Sequence, residues 1–134
     1  MIKKMTFKFY TYEEILNIKT SSFLELQYCK LKKGSSIIKI VSVDRIEHKK
    51  IDSLYVLFTD ITSFQKYYEQ VFNCGIYNNL KSGYLDIFGI NYYKKALISN
   101  LITEVEKNKL PDYETICEWL EKSLEYNGVY ILGI

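Results

Sequence analysis

Two amphipathic helical patterns, separated by the chain's single proline, place the firmest constraint on what this sequence can fold into. The first pattern covers about residues 93–108 and ends before Pro111, which cannot continue a helix. Asp112 is placed to begin the second helix, and Asn127-Gly128 is placed to end it in a left-handed turn. Both helices need an apolar surface to pack on. Their apolar positions are Leu97, Ile98, Leu101, Ile102 and Val105, then Tyr113, Ile116, Cys117, Leu120 and Leu124.

The rest of the chain alternates between strand-like patterns and short helical ones. The capping-box spacing of Thr11 and Glu14 predicts a short helix to about Ile18, and that of Thr62 and Gln65 predicts another to about Asn73. Residues 53–59 are almost continuously apolar, which predicts a central strand covered on both faces. Further strands are predicted at residues 3–10, 23–31, 36–43, 84–90 and 129–132, with a hairpin loop over residues 32–35.

These patterns predict one α+β domain over residues 1–134, with the element order β-α-β-β-β-α-β-α-α-β. The hairpins favour a mixed, largely antiparallel sheet with helices packed against it. The length is that of one ordinary domain, and a hydrophobic fraction of 48% with 25% charged residues is typical of globular proteins.

The sequence carries no signal for a membrane or an oxidising compartment. No run approaches 18 apolar residues, and no apolar stretch follows Lys3 and Lys4, so neither a transmembrane helix nor a signal peptide is expected. The three cysteines, Cys29, Cys74 and Cys117, are widely spaced and match neither a disulfide framework nor a zinc site. We therefore expect a cytoplasmic protein that has no membrane partner.

Residue patterns that support catalysis are missing from the sequence. No phosphate-binding glycine loop occurs, and the single histidine, His48, lies in a polar stretch that indicates a solvated loop. The carboxylate pair Glu13 and Glu14 opens a helix, and the pair Glu104 and Glu106 lies on a solvent-facing helix surface. We accordingly predict no catalytic residue, no metal site, no cofactor and no enzymatic activity.

Four glutamates form the clearest candidate for a binding surface. Glu114, Glu118, Glu121 and Glu125 follow the helical spacing i, i+4, i+7 and i+11, so they lie along one exposed stripe. Such a stripe suits a basic partner, although a solvated helix face has the same pattern. Tyr92 and Tyr93 lie at an element boundary, where they are expected either as exposed interface anchors or as caps on the edge of the core.

A second candidate surface is rich in lysine. Residues 1–58 carry 11 Lys and Arg against 6 Asp and Glu, whereas residues 59–134 carry 7 against 10. Aromatic side chains on a sheet flanked by lysines can stack nucleic-acid bases, although lysines at strand ends also protect sheet edges. The chain has a single arginine and no RNA-binding motif. Nucleic acid is therefore the less favoured partner. The residues concerned are Lys30, Lys32, Lys33, Lys39, Arg45, Lys49 and Lys50, with Phe23, Tyr28 and Tyr55.

The last two fifths of the chain, about residues 84–134, resemble small bacterial immunity proteins. The resemblance lies in Phe88-Gly-Ile-Asn-Tyr-Tyr93, the helix start at Pro111-Asp-Tyr-Glu114, Trp119-Leu120 and the closing segment 127–134. These proteins are encoded beside polymorphic toxins, including those of contact-dependent growth-inhibition systems. The resemblance implies a non-enzymatic cytoplasmic protein that neutralises one cognate toxin domain by stoichiometric binding. Such toxins are often basic nucleases, and the glutamate stripe would then be the contact face. The sequence leaves the oligomeric state open.

Overall fold

Helices and a single antiparallel sheet alternate along the chain in the computed structural model, which describes residues 7–133. The five α-helices of this part of the chain are α1 (Tyr12–Ile18), α2 (Ile37–Ile40), α3 (Ile61–Tyr68), α4 (Ile98–Lys107) and α5 (Tyr113–Lys122). The six strands are β1 (Phe23–Tyr28), β2 (Leu54–Leu57), β3 (Gly75–Ile76), β4 (Ser82–Gly83), β5 (Ile90–Tyr93) and β6 (Val129–Leu132). The predicted α+β class is therefore confirmed.

The strands lie in the order β2-β1-β6-β5-β3-β4, and every neighbouring pair is antiparallel. The last strand, β6, thus lies inside the sheet, between β1 and β5. Its register brings Ile131 opposite Leu26 of β1 and Val129 opposite Tyr93 of β5. This pairing joins the two halves of the chain and places the end of α5 next to β1.

The two faces of the sheet carry separate cores because side chains alternate along each strand. On one face, Leu26 and Ile131 pack with residues of α3, α4 and α5 in the main core. On the other face, Tyr92 and Tyr130 pack with Ile40 of α2 in a smaller cluster. The helical side that carries α5 is therefore opposite the side covered by residues 37–46.

Several predicted elements are confirmed. The helix α1 begins with the expected capping box, in which the backbone N–H of Glu14 donates to Thr11 Oγ1 and the N–H of Thr11 donates back to the Glu14 carboxylate. The final strand is present. Gly128 has the predicted left-handed backbone, with φ of +93°, but it does not end the helix, since α5 ends at Lys122 and continues only as a 3-10 turn to Glu125. The predicted strand at residues 3–10 lies partly outside the described residues, and Tyr10 contributes one isolated bridge to Tyr55.

Two of the predicted strands are wrong. Residues 36–43 contain the helix α2 instead, because the Ser36 side chain accepts a hydrogen bond from the N–H of Lys39 and starts a helical turn. Residues 84–89 form a loop, and the strand begins only at Ile90. The buried side chain of Asn91 holds that loop, since it bonds both the N–H and the carbonyl of Asp86.

The positions of three other elements differ from prediction. β2 is an outer strand and not a central one, although its faces are buried and Tyr10 pairs with its outer edge through two hydrogen bonds of 2.8 Å. The helix α3 starts at Ile61 without a side-chain cap and ends at Tyr68, so the second capping box is wrong. The helix α4 starts at Ile98, after one 3-10 turn over residues 95–97.

Candidate protein-binding cleft and acidic helix face

Tyr92 and Tyr93 are buried, so of the two alternatives for these tyrosines the one that makes them exposed interface anchors is wrong. Both lie in β5, where Tyr92 is 2% exposed and Tyr93 is fully buried. The Tyr92 hydroxyl donates to the carbonyl of Asn127 at 2.5 Å, and that of Tyr93 donates to the carbonyl of Phe72 at 3.2 Å. Burial raises the pKa of Tyr92 to about 12. The two rings fill opposite faces of the sheet, one in each core.

The four glutamates of the predicted stripe are all exposed. Glu114, Glu118 and Glu121 belong to α5, and Glu125 belongs to the single 3-10 turn that continues it over residues 123–125. The opposite side of α5 carries Ile116 and Leu120, which are fully buried in the main core. The stripe is therefore the solvent side of a helix whose other side anchors it to the sheet.

A cleft of about 430 Å³ runs beside this helix. One wall comes from α5 and the turn that follows it, and the other comes from residues 51–54, which lead into β2. Only two glutamates of the stripe, Glu118 and Glu125, line this cleft. The other lining residues are Thr11, Tyr28, Ile51, Asp52, Ser53, Leu54, Thr115, Trp119, Lys122 and Tyr126.

Stacked aromatic rings form the inner surface of the cleft. The ring of Tyr28 lies between those of Trp119 and Tyr126, with centroid distances of 4.4 Å and 5.0 Å and interplanar angles of 11° and 25°. The Tyr28 hydroxyl donates to the carbonyl of Trp119 at 2.8 Å, and Trp119 Nε1 donates to the carbonyl of Asp52 at 2.8 Å. These bonds tie β1, α5 and the opposite wall together, so the cleft has a fixed shape.

The electrostatics of the cleft are negative. Asp52, Glu118 and Glu125 supply three carboxylates against the single ammonium of Lys122. Burial raises the pKa of Tyr28, and the charges of Asp52, Glu125 and Glu118 raise it further, which places these carboxylates within electrostatic reach of the aromatic stack. Beside the cleft, the Lys30 ammonium lies 2.6 Å from the Asp52 carboxylate and 5.3 Å from the centroid of Tyr126.

Glu25, which the sequence reasoning missed, fixes the wall opposite α5. Its carboxylate is 1% exposed and accepts hydrogen bonds from the backbone N–H groups of Lys49 and Lys50, at 2.7 Å and 3.0 Å. It also accepts from the Ser53 hydroxyl at 2.6 Å and from Gln27 Nε2 at 3.1 Å. The loop before β2 is thereby folded onto β1, which sets the position of Ile51 and Asp52.

Two of the three aromatic residues expected on the lysine-rich surface are buried, and the third, Phe23, is half-buried against the ring of Tyr55. Tyr28 is 5% exposed and Tyr55 is fully buried, so neither ring is open to a nucleic-acid base. Lys30, Lys32 and Lys33 are exposed in the loop after β1, Lys39 is exposed in α2, and Lys49 and Lys50 lie in the loop before β2.

A second groove, of about 470 Å³, lies on the other side of the sheet. Its walls include Val43 and Ile46 on one side and Phe88, which is 74% exposed, on the other. His48 also lines it and lies on the surface, as expected, with Nδ1 at 3.8 Å from the Glu25 carboxylate. Among residues 7–133, no three or more His, Cys, Asp or Glu side chains are grouped so that they could hold a metal ion.

Comparison with known proteins adds no identification: no family model, curated protein or solved structure matches the chain. Within the described residues, the helices are all too short or too polar to span a bilayer.

Proposed function

We propose that this chain is an immunity-type inhibitor that binds one cognate bacterial toxin domain in the cytoplasm and neutralises it stoichiometrically, without catalysis. The observation that carries the proposal is the acidic face of α5, where four exposed glutamates form one stripe and two of them, Glu118 and Glu125, line a preformed cleft. A basic toxin, such as a nuclease, is the class of partner that this face complements.

The surroundings of the glutamate stripe support a protein partner over a small ion. Productive interfaces combine an apolar centre with a polar rim. Ile51, which is 80% exposed, and the half-buried ring of Tyr126 supply apolar area beside the stripe. Charges around such a centre speed the encounter and exclude wrong partners more than they add affinity. The glutamates would therefore steer the toxin, and the cleft would hold it.

The alternative, a nucleic-acid-binding accessory protein, has weaker support. Its premise was a sheet face with aromatic rings available for stacking, and Tyr28 and Tyr55 are buried. The lysines that remain would give only contacts to phosphate, and such binding weakens steeply with salt. Retention on single-stranded oligonucleotides at moderate salt would favour this alternative.

Co-expression tests the proposal directly. The toxin domain encoded beside this gene is induced in bacteria with and without the chain, and growth is followed. We expect growth to be arrested by the toxin alone and restored by the chain, and the two purified proteins to form a 1:1 complex in light scattering. Persistent arrest with both proteins folded, or the absence of any toxin gene beside this one, would contradict it.

A further inference from the structure

The cleft beside α5 combines flat aromatic rings with carboxylates that are available to a partner. We propose that it receives one arginine side chain of the partner protein, with the guanidinium group between Glu118 and Glu125 and the methylene groups against the apolar floor. This inference rests on the proposed function, because it specifies the chemistry of the same binding face.

The size and lining of the cleft suit one side chain. Its volume of about 430 Å³ is near the lower end for ligand pockets, which span roughly 300–1,000 Å³. Ile51, Leu54 and the rings of Trp119 and Tyr126 line it. Long charged side chains bury their methylene groups on such surfaces while the charged end stays near polar groups.

The carboxylates at the rim are placed to meet a cation. Glu118 and Glu125 are seven residues apart, which places them about two helical turns, or roughly 10 Å, from each other along the helix. Neither belongs to an ion pair formed within residues 7–133, whereas Asp52 is already paired with Lys30. A partner cation between them would therefore gain two charge interactions without breaking an ion pair, against the repulsion of Lys122, which lines the same cleft one helical turn from each glutamate.

The protein already holds a cation of its own in this way beside the cleft, at the end of the aromatic stack where Tyr126 lies. The Lys30 ammonium lies 2.6 Å from a carboxylate oxygen of Asp52 and 5.3 Å from the centroid of the Tyr126 ring. A carboxylate and an aromatic face thus hold one cation together at this end. At the other end of the same stack, Trp119 lines the cleft beside Glu118 and is 6% exposed.

Arginine fits these groups better than lysine does. The guanidinium group is planar, stacks on aromatic rings, is weakly hydrated and can bond two carboxylate oxygens at once. Lysine carries a compact, strongly hydrated charge that loses more solvation in a partly apolar cleft. We therefore expect a preference for arginine over lysine, and for both over a neutral side chain of the same shape.

Trp119 allows a direct test, because it is the only tryptophan of the chain. The intact protein is titrated with the capped peptides Gly-Arg-Gly, Gly-Lys-Gly and Gly-citrulline-Gly, and the emission of Trp119 is recorded. We expect a saturable change with the arginine peptide, which weakens with salt, and binding of the uncharged citrulline peptide at least about tenfold weaker.

Two double variants separate the cleft from the general charge of the helix. Glu118→Gln with Glu125→Gln should weaken the arginine peptide at least about tenfold. Glu114→Gln with Glu121→Gln removes the same charge from the same helix face outside the cleft and should change affinity by less than about twofold. Equal losses in the two variants, equal binding of the citrulline peptide, or no saturable response to arginine would overturn the assignment. Unchanged unfolding midpoints confirm that both variants are folded.

These outcomes are distinct from those of the proposed function. If the chain restores growth against the toxin while the arginine peptide fails to bind, the cleft assignment is wrong and the inhibitor proposal stands. If the arginine peptide binds as expected while growth is not restored, the inhibitor proposal is wrong and the cleft assignment stands.

Discussion

The Glu25 carboxylate is held inside the protein by donors that lie far away in sequence. Lys49, Lys50 and Ser53 reach it from residues 24 to 28 positions further along the chain. Within the described residues, no buried side-chain nitrogen or oxygen lacks a hydrogen-bond partner, so this polar cluster is complete. A complete buried network is stabilising, whereas removal of one member leaves several donors without acceptors.

Replacement of that one carboxylate should therefore be costly. We expect Glu25→Gln to lower the free energy of unfolding by about 3 kcal/mol, because an amide group would face backbone N–H donors that now meet oxygen. Urea unfolding measures the change. Glu47→Gln, at an exposed position of the same loop, is the control and should cost no more than about 0.5 kcal/mol. Equal midpoints for Glu25→Gln and the unmodified chain would contradict this account.

Single residues were predictable where their role depends on near neighbours. The spacing of the four glutamates was sufficient to place them on one exposed stripe, since helix geometry relates positions only a few residues apart. The role of Glu25 was not predictable, because nothing in Phe23–Tyr28 indicates that a loop more than 20 residues later folds onto it. Tyr92 and Tyr93 were misplaced because their strand was expected to end before them.

Helices and strands were likewise predictable where their contacts are local in sequence. The capping box of α1 was found because all of its contacts lie within four residues. The helix α2 was missed because an apolar run of four residues fits a strand or one helical turn equally well, and packing against Tyr130 and Leu132 decides between them. β5 begins later than predicted because Asn91 holds the preceding loop through the carbonyl and N–H of Asp86.

The turn between α5 and β6 positions the acidic helix against the sheet. Gly128 has φ of +93°, and a Cβ atom added to it would lie 2.3 Å from the carbonyl oxygen of Tyr93. The flanking backbone is bonded to β1, since the N–H of Asn127 donates to the carbonyl of Cys29 at 2.9 Å. A side chain at this glycine must therefore displace the backbone of β5 at Tyr93.

A matched pair of glycines tests this view of the turn. We expect Gly128→Ala to lower the free energy of unfolding by more than about 3 kcal/mol, from left-handed strain of about 1–2 kcal/mol and the added clash. Gly34→Ala has nearly the same φ, +91°, but nothing within 4 Å of the new atom, so it should cost only the strain. Thermal and urea unfolding of both variants give the comparison. Equal costs would show that the close approach to Tyr93 has no effect.

The two faces of the sheet are covered by different elements, and acidic residues are concentrated in the second half of the chain. The fold packs α3, α4 and α5 on one face of the sheet and residues 37–46 on the other. The four glutamates project from the helical side, and the second half of the chain has an excess of acidic residues. The fold class and the exposed stripe followed from hydrophobic patterns, which are local. The cleft did not, because its walls come from α5, β1 and residues 51–54, which only the tertiary fold brings together.

The affinity of a charge-reversed variant for the purified toxin domain shows whether the acidic face of α5 is the contact surface. The variant changes Glu114, Glu118, Glu121 and Glu125 to lysine, and calorimetry compares it with the unmodified chain. The control reverses four exposed glutamates elsewhere, Glu13, Glu69, Glu104 and Glu106, and so changes the net charge equally.

We expect the α5 variant to bind at least about 100-fold more weakly, because four attractions become repulsions at the interface, and the control to lose less than about fivefold. Unchanged affinity of the α5 variant, or equal losses in both, would contradict the claim that this helix face meets the toxin.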